Sequence, residues 1–173
     1  MNKAVEEKLS IRDLRREIHK EKYNNTLTEA ILPTGKYRVI YADPPWTYGN
    51  DRTYFGGDQI SHYPSMTIEE LCIMPIKEII EDNSVLFIWD KIKHTMGHYS
   101  SVRHELLLLC IKGSYPIQNK KLYDSVYSEE RTKHSKKPDF YYGMIEDLYP
   151  NSNKIELFSR YKREGWRVYG NQL

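Results

Sequence analysis

The chain has 173 residues, with 26 Lys and Arg against 24 Asp and Glu and a formal net charge of +2. That length makes one domain with a real core and is short for a two-domain enzyme. The near-balance of charge excludes a histone-like polycation and leaves nucleic acid permitted as a partner without demanding it.

From Lys3 to Tyr23 the apolar residues Val5, Leu9, Leu14 and Ile18 recur at near-helical spacing among charged neighbours. They predict an amphipathic helix with a thin apolar stripe, a docking arm too short for sustained heptads. This start is charged throughout and has no apolar leader, and no run approaches the roughly 18 apolar residues of a membrane span. A cytoplasmic, membrane-free protein is expected. Cys72 and Cys110 sit in apolar surroundings without paired spacing, which predicts reduced, buried thiols. The arm closes at residue 34 and one α/β domain fills 35–173.

Tyr37 to Ala42 is the first convincing strand, and Val39-Ile40-Tyr41-Ala42 is a nearly unbroken apolar run of the kind buried on both faces of a sheet. It runs into Asp43-Pro44-Pro45-Trp46, where two prolines end the ladder. In open α/β sheets ligands bind at the carboxyl ends of the strands. A Gly- and Tyr-rich loop over 47–64 follows. Thr67 and Glu70 make a capping box for a helix that Pro75 interrupts or restarts. Ser84 to Trp89 reads as a second buried strand; Glu105 to Lys112 holds a third apolar run stopped by Gly113, whose leucines could equally begin a helix but whose length and flanking glycine favour a strand. Ser114 to Lys137 is a polar, basic surface loop. Pro138, Asp139, Tyr141, Met144, Ile145 and Leu148 describe a short helix ending near Tyr149-Pro150. Asn153 to Ser159 and Trp166 to Tyr169 are the last strands. Strands alternating with helices give a largely parallel α/β sheet.

The Asp-Pro-Pro-Trp motif is specific, and its bland reading is a rigid turn capped by an aromatic. Its chemistry suits a weak amine nucleophile such as the exocyclic amine of adenine, whose lone pair is delocalised into the ring. Acceptors for both N–H groups direct that density at an electrophile. Asp43 supplies a carboxylate, Pro44 a carbonyl outside any helix ladder, and the two prolines stiffen the turn so that the acceptors are preorganised. Trp46 can stack on the base. Positioning then contributes more than acid/base chemistry. A metal site from His94, His98, His104 and Cys110 is disfavoured, because Gly97 interrupts the helix that would align the first two ligands. Arg131, Lys133, His134, Lys136 and Lys137 form a basic run that suits phosphate contacts or simply a solvated loop, and Glu129 and Glu130 dilute its field. Tyr48, Tyr54 and Phe55 either close over a base or pack.

These motifs, with Gly97-His98-Tyr99, Arg103-His104-Glu105, Lys136-Lys137-Pro138-Asp139, Lys154 to Arg160 and Gly170-Asn171-Gln172, resemble the N6-adenosine-methyltransferase seventy-kilodalton-subunit family. The likeness runs collinearly from Tyr37 to the C-terminus. It implies a Rossmann-like sheet that uses S-adenosylmethionine, with motif order permuted so that the catalytic motif comes first. Asp43, Pro44, Pro45 and Trp46 are then catalytic. Asp43, Lys137, Glu156, Arg160, Asn171 and Gln172 border the cofactor, Lys137 suiting its carboxylate and Glu156 with the two amides suiting vicinal hydroxyls. Trp46, Tyr48, Lys133 and Lys136 face the substrate. The resemblance implies adenine in nucleic acid as substrate, DNA before RNA from the compact bacterial or phage branch, and allows a homo- or heterodimer.

One departure stands out. Relatives place a helix and a further strand, about 30 residues in a βαβ unit, after the strand matching Ser84 to Trp89. Here Trp89 runs directly into Asp90-Lys91-Ile92. The loss removes a layer from one face of the sheet, so the competing reading is a noncatalytic nucleic-acid-binding subunit that keeps the fold. A small-molecule methyltransferase is the third.

Overall fold

The computed structural model describes residues 32–46, 66–90, 104–130 and 136–170. The arm over Lys3–Tyr23, the loop over 47–64, and Tyr48, Lys133, His94, His98, Asn171 and Gln172 lie outside the described residues. Five strands make one mixed sheet in the order β3-β2-β1-β4-β5: β1 is Tyr37–Ala42, β2 Ile80–Asp90, β3 Leu106–Lys112, β4 Lys154–Leu157 and β5 Trp166–Tyr169. β2, β1, β4 and β5 run parallel, and β3 is antiparallel to β2. This is a mixed α/β, Rossmann-like methyltransferase architecture.

β1 holds the centre because its apolar run fits burial on both faces. Val39 and Tyr41 point to one face, where they meet Val85, Phe87 and Trp89 of β2 and Ile145 and Tyr149. The helix α2, Asp139–Leu148, covers this face. Ile40 and Ala42 point to the other, with Ile155, Leu157 and Ile79. Tyr37 also lies on that second side, two residues from Val39. The strand is irregular between them: the Arg38 and Val39 N–H groups both donate to the Asn153 carbonyl at 3.2 Å, and the partner on β2 jumps from Ile80 for Tyr37 to Val85 for Val39. The irregularity lets polar Glu81, Asp82 and Asn83 extend β2 four residues ahead of the expected Ser84.

Helix α1, Ile68–Cys72, starts from the expected capping box: Thr67 Oγ1 accepts from the Glu70 N–H at 3.1 Å, and the Glu70 carboxylate accepts from the Thr67 N–H at 2.7 Å. A 3₁₀ turn over Ile76–Glu78 resumes directly after Pro75. Pro138 stands one residue ahead of α2, in the cap position, rather than inside its first turn.

Two expectations change. Cys72 and Cys110 are exposed, not buried. α1 buries none of its residues, which leaves Cys72 in solvent, and Cys110 lies on β3, whose residues are exposed apart from half-buried Leu107. The apolar run of β3 therefore forms a strand as expected but sits at the sheet edge, pairing among the described residues with β2 alone. No helix among the described residues is long and apolar enough to cross a membrane.

Candidate active site

Because β1, β2 and β4 are parallel, their last residues meet at one edge of the sheet. Asp43 follows β1 there, and its N–H is 3.5 Å from the Leu157 carbonyl at the end of β4. The turn beyond it is tight, with the Trp46 N–H donating to the Pro44 carbonyl at 2.9 Å. That bond occupies one lone pair of the carbonyl that sequence reasoning left free, and a carbonyl oxygen has a second. Trp46 also donates its indole N–H to the Trp89 carbonyl at 2.9 Å, and the Met66 N–H donates to the Pro45 carbonyl at 2.6 Å. The motif is thus laced to the end of β2 and to the start of the next described segment, as preorganised acceptors require.

Lys137, just before α2, reaches into this edge. Its ammonium is 2.5 Å from Glu105 Oε2 and 3.7 Å from Asp43 Oδ1, and it sits over the Trp89 ring at 4.3 Å from the centroid. Two carboxylates and an aromatic face compensate the cation that burial would otherwise penalise. Glu105 was not assigned by sequence reasoning. It immediately precedes β3, and only the antiparallel direction of that strand brings it to the active edge, where Asp90 pairs with Leu106.

Glu156 stands on β4 opposite Tyr41 of β1, hence on the α2 face. The Tyr142 hydroxyl of α2 donates to Glu156 Oε1 at 2.8 Å. Burial pushes the Glu156 carboxyl above its ordinary range, while its hydrogen bonds to Tyr142 and Ser159 pull the other way. Burial likewise raises Tyr142, with the Glu156 charge adding to it. Tyr41 beneath them accepts from the Trp89 indole and is raised chiefly by burial. Tyr142 was also missed by sequence reasoning, which named its neighbour Tyr141 on the apolar stripe of this helix; nothing in spacing reveals the carboxylate opposite.

After β4 the backbone turns at Phe158, whose φ of 65° is left-handed. The Ser159 N–H then donates to the Tyr169 carbonyl at 3.0 Å, closing the ends of β4 and β5 together. Half-buried Arg160 follows on this same side. Lys136 is exposed and paired with Asp139 at 2.7 Å, outside the buried cluster. The structure therefore brings together Asp43, Pro44, Trp46, Lys137 and Glu156 and holds Lys136 at the rim. Among the described residues no group of three or more His, Cys, Asp or Glu is placed to hold a metal.

Residues 90–172 match the MT-A70 family model. The chain is similar over 82% of its length to the type II methyltransferase M.MunI of Mycoplasma sp, at 27% identity and covering 80% of that protein. It is 29% identical to the N(6)-adenosine-methyltransferase subunit METTL3 of Danio rerio and 30% identical to the putative N(6)-adenosine-methyltransferase MT-A70-like of Medicago truncatula, spanning only 28% and 27% of those longer proteins. The Mycoplasma match runs over 186 positions yet draws on 82% of a chain of 173, so the relative carries on the order of forty residues with no counterpart here. The family-model match begins at Asp90, where the sequence places the missing helix-strand unit. With an Asp-Pro-Pro-Trp turn at the carboxyl edge of a Rossmann-like sheet and an MT-A70 family domain matched over residues 90–172, the chain is similar along most of its length to adenine-modifying members of that family.

Proposed function

We propose that this protein transfers a methyl group from S-adenosylmethionine to the exocyclic amine of adenine in nucleic acid, DNA before RNA. The observation that carries it is the Asp43-Pro44-Pro45-Trp46 turn at the end of the central strand, 3.7 Å from a buried lysine and one strand from a buried carboxylate. The DNA preference rests on likeness to a compact type II methyltransferase along most of that protein's length, against about a quarter of the adenosine methyltransferases.

The residues present fit the cofactor by their chemistry. Lys137 is the cation for its carboxylate, which would share or take over the position of Glu105. Glu156, Arg160, Asn171 and Gln172 supply the acceptors and donors for ribose hydroxyls and their surroundings. The bound cofactor supplies an electrophilic methyl on a positively charged sulfur. Asp43 and the free lone pair of the Pro44 carbonyl accept the two amine N–H groups, turning the nitrogen lone pair toward that methyl. Trp46, fixed by its bond to the Trp89 carbonyl, borders the base. With the cofactor bound, methyl transfer to that nitrogen would release an amine proton, for which Asp43 or water would be the acceptor. Lys133, Lys136 and Tyr48 are placed by sequence on the substrate side.

The test is transfer of isotopically labelled methyl from S-adenosylmethionine to adenine-containing DNA and RNA oligonucleotides, with Asp43→Ala as control. Label on adenine N6 that disappears in the variant supports the reading. Cofactor binding without transfer to any polymer favours the noncatalytic subunit, for which the absent helix-strand unit is the specific observation. Transfer to free adenosine alone favours the small-molecule reading. A dimer is a natural working assembly, since among the described residues β3 pairs with β2 alone.

A further inference from the structure

β3 carries the chemistry of an interior strand in an edge position. Leu106, Leu108, Leu109 and Ile111 are 44% to 63% exposed. Their register against β2 divides the strand evenly. Leu107, Leu109 and Ile111 lie on the α2 face, opposite Trp89, Phe87 and Val85, while Leu106, Leu108 and Cys110 lie on the other, opposite Asp90, Ile88 and Leu86. From 106 to 111 there is no charge, proline or glycine, the devices by which edge strands avoid pairing. The opposite edge is different: β5 has four residues, and exposed Arg167 interrupts it.

An occupant must match an open ladder and apolar residues on both faces at once, which a covering helix does not. Among the described strands only β3 itself offers that combination with an unpaired edge. We propose that two copies of this chain join through β3, edge to edge and antiparallel, making one continuous sheet through the dimer. A two-fold axis normal to the sheet keeps each face on its own side, so paired residues must share a parity. With the axis at Leu108, that residue faces itself, Leu107 faces Leu109 and Leu106 faces Cys110, all apolar. Moving the axis to Leu109 would set Leu106 against Lys112. The charges that flank the run are engaged elsewhere, Lys112 with Asp82 at 3.2 Å and Glu105 with Lys137.

Sedimentation velocity on the full chain should give a species of twice 20.6 kDa, and Leu108→Lys should halve its mass while circular dichroism and the melting temperature are kept. In a Cys72→Ser background, Leu106→Cys sets a thiol opposite Cys110 of the second copy. Within one chain these positions are about 13 Å apart along the strand, beyond disulfide reach, so mild oxidation should yield a covalent dimer only between copies. A wild type that stays monomeric at tens of micromolar, a dimer indifferent to Leu108→Lys, or a ladder of larger species overturns the proposal. So does a monomer whose Cys110 resists a thiol reagent until residues 1–31 are removed, which would make the arm the occupant.

Discussion

The Lys137 ammonium lies 3.7 Å from Asp43 Oδ1, with the two side chains 7% and 13% exposed. A cation held this far from water depends on its carboxylates, and they depend on it. Lys137→Met leaves Asp43 and Glu105 without that cation. It should cost about 3 kcal/mol in urea unfolding and weaken S-adenosylmethionine binding at least tenfold by calorimetry. Lys137→Arg should restore part of the stability and less of the binding, because the planar fork does not reproduce a point charge.

Glu156 is held protonated to higher pH in the folded chain than in the unfolded one, because burial penalises its charge. Its contribution to stability is therefore full below the ordinary carboxylate range and is lost as pH rises through the folded value. Glu156→Gln should melt higher than wild type at pH 8 and together with it at pH 4. The same variant should bind S-adenosylmethionine more weakly, separating stability from function at a single residue.

Glu146 behaves in the opposite sense. It accepts from Arg163 Nε at 2.8 Å, Arg163 Nη2 at 3.2 Å and the Trp166 indole at 2.7 Å. Arg163 leads the Trp166 bond in drawing its carboxyl below the usual range. That stabilisation is present at neutral pH and is lost as pH falls through the lowered value. Glu146→Gln should cost about 1 to 2 kcal/mol at pH 7, limited by solvent screening of half-exposed partners. The gap from wild type in denaturant midpoint should close as the pH is taken below the ordinary carboxylate range.

Gly170 has no room for a side chain: a Cβ there would lie 1.9 Å from the Ser159 carbonyl oxygen. Gly170→Ala must push apart the closed ends of β4 and β5, immediately before Asn171 and Gln172. It should lower the melting temperature and abolish cofactor binding, whereas Gly143→Ala, where the space is open, should do neither. Paired calorimetric titrations of the two variants make the check.

The parts of the fold that were legible in sequence are those where a local rule fixes the outcome. β1 ends at Ala42 because prolines follow, α1 begins at its capping box, and the parallel sheet follows from alternating elements. The beginning of β2 was missed because Glu81-Asp82-Asn83 looks like a turn and the register shift that admits them is set by β1. The position of β3 was missed for a deeper reason. An apolar run announces a strand but not its neighbours, so a run that reads as interior is found exposed apart from half-buried Leu107. At the site, Asp43, Lys137 and Glu156 were nameable because each stands in a motif. Glu105 and Tyr142 became visible only through strand direction and helix rotation, which no spacing encodes.

The direction of the strands also separates the molecule into two ends with different work. Asp43 and Glu156 gather where β1 and β4 finish, while exposed Glu164 precedes the start of β5 at the far end. Four to six residues of strand put about 13 to 20 Å between those ends. In a chain cleared of its two exposed thiols, a dye attached through Glu164→Cys would stand clear of the reacting groups yet on a strand tied directly to β4. Nucleotide entry could then be followed by light from the quiet end of the sheet while the chemical end runs undisturbed.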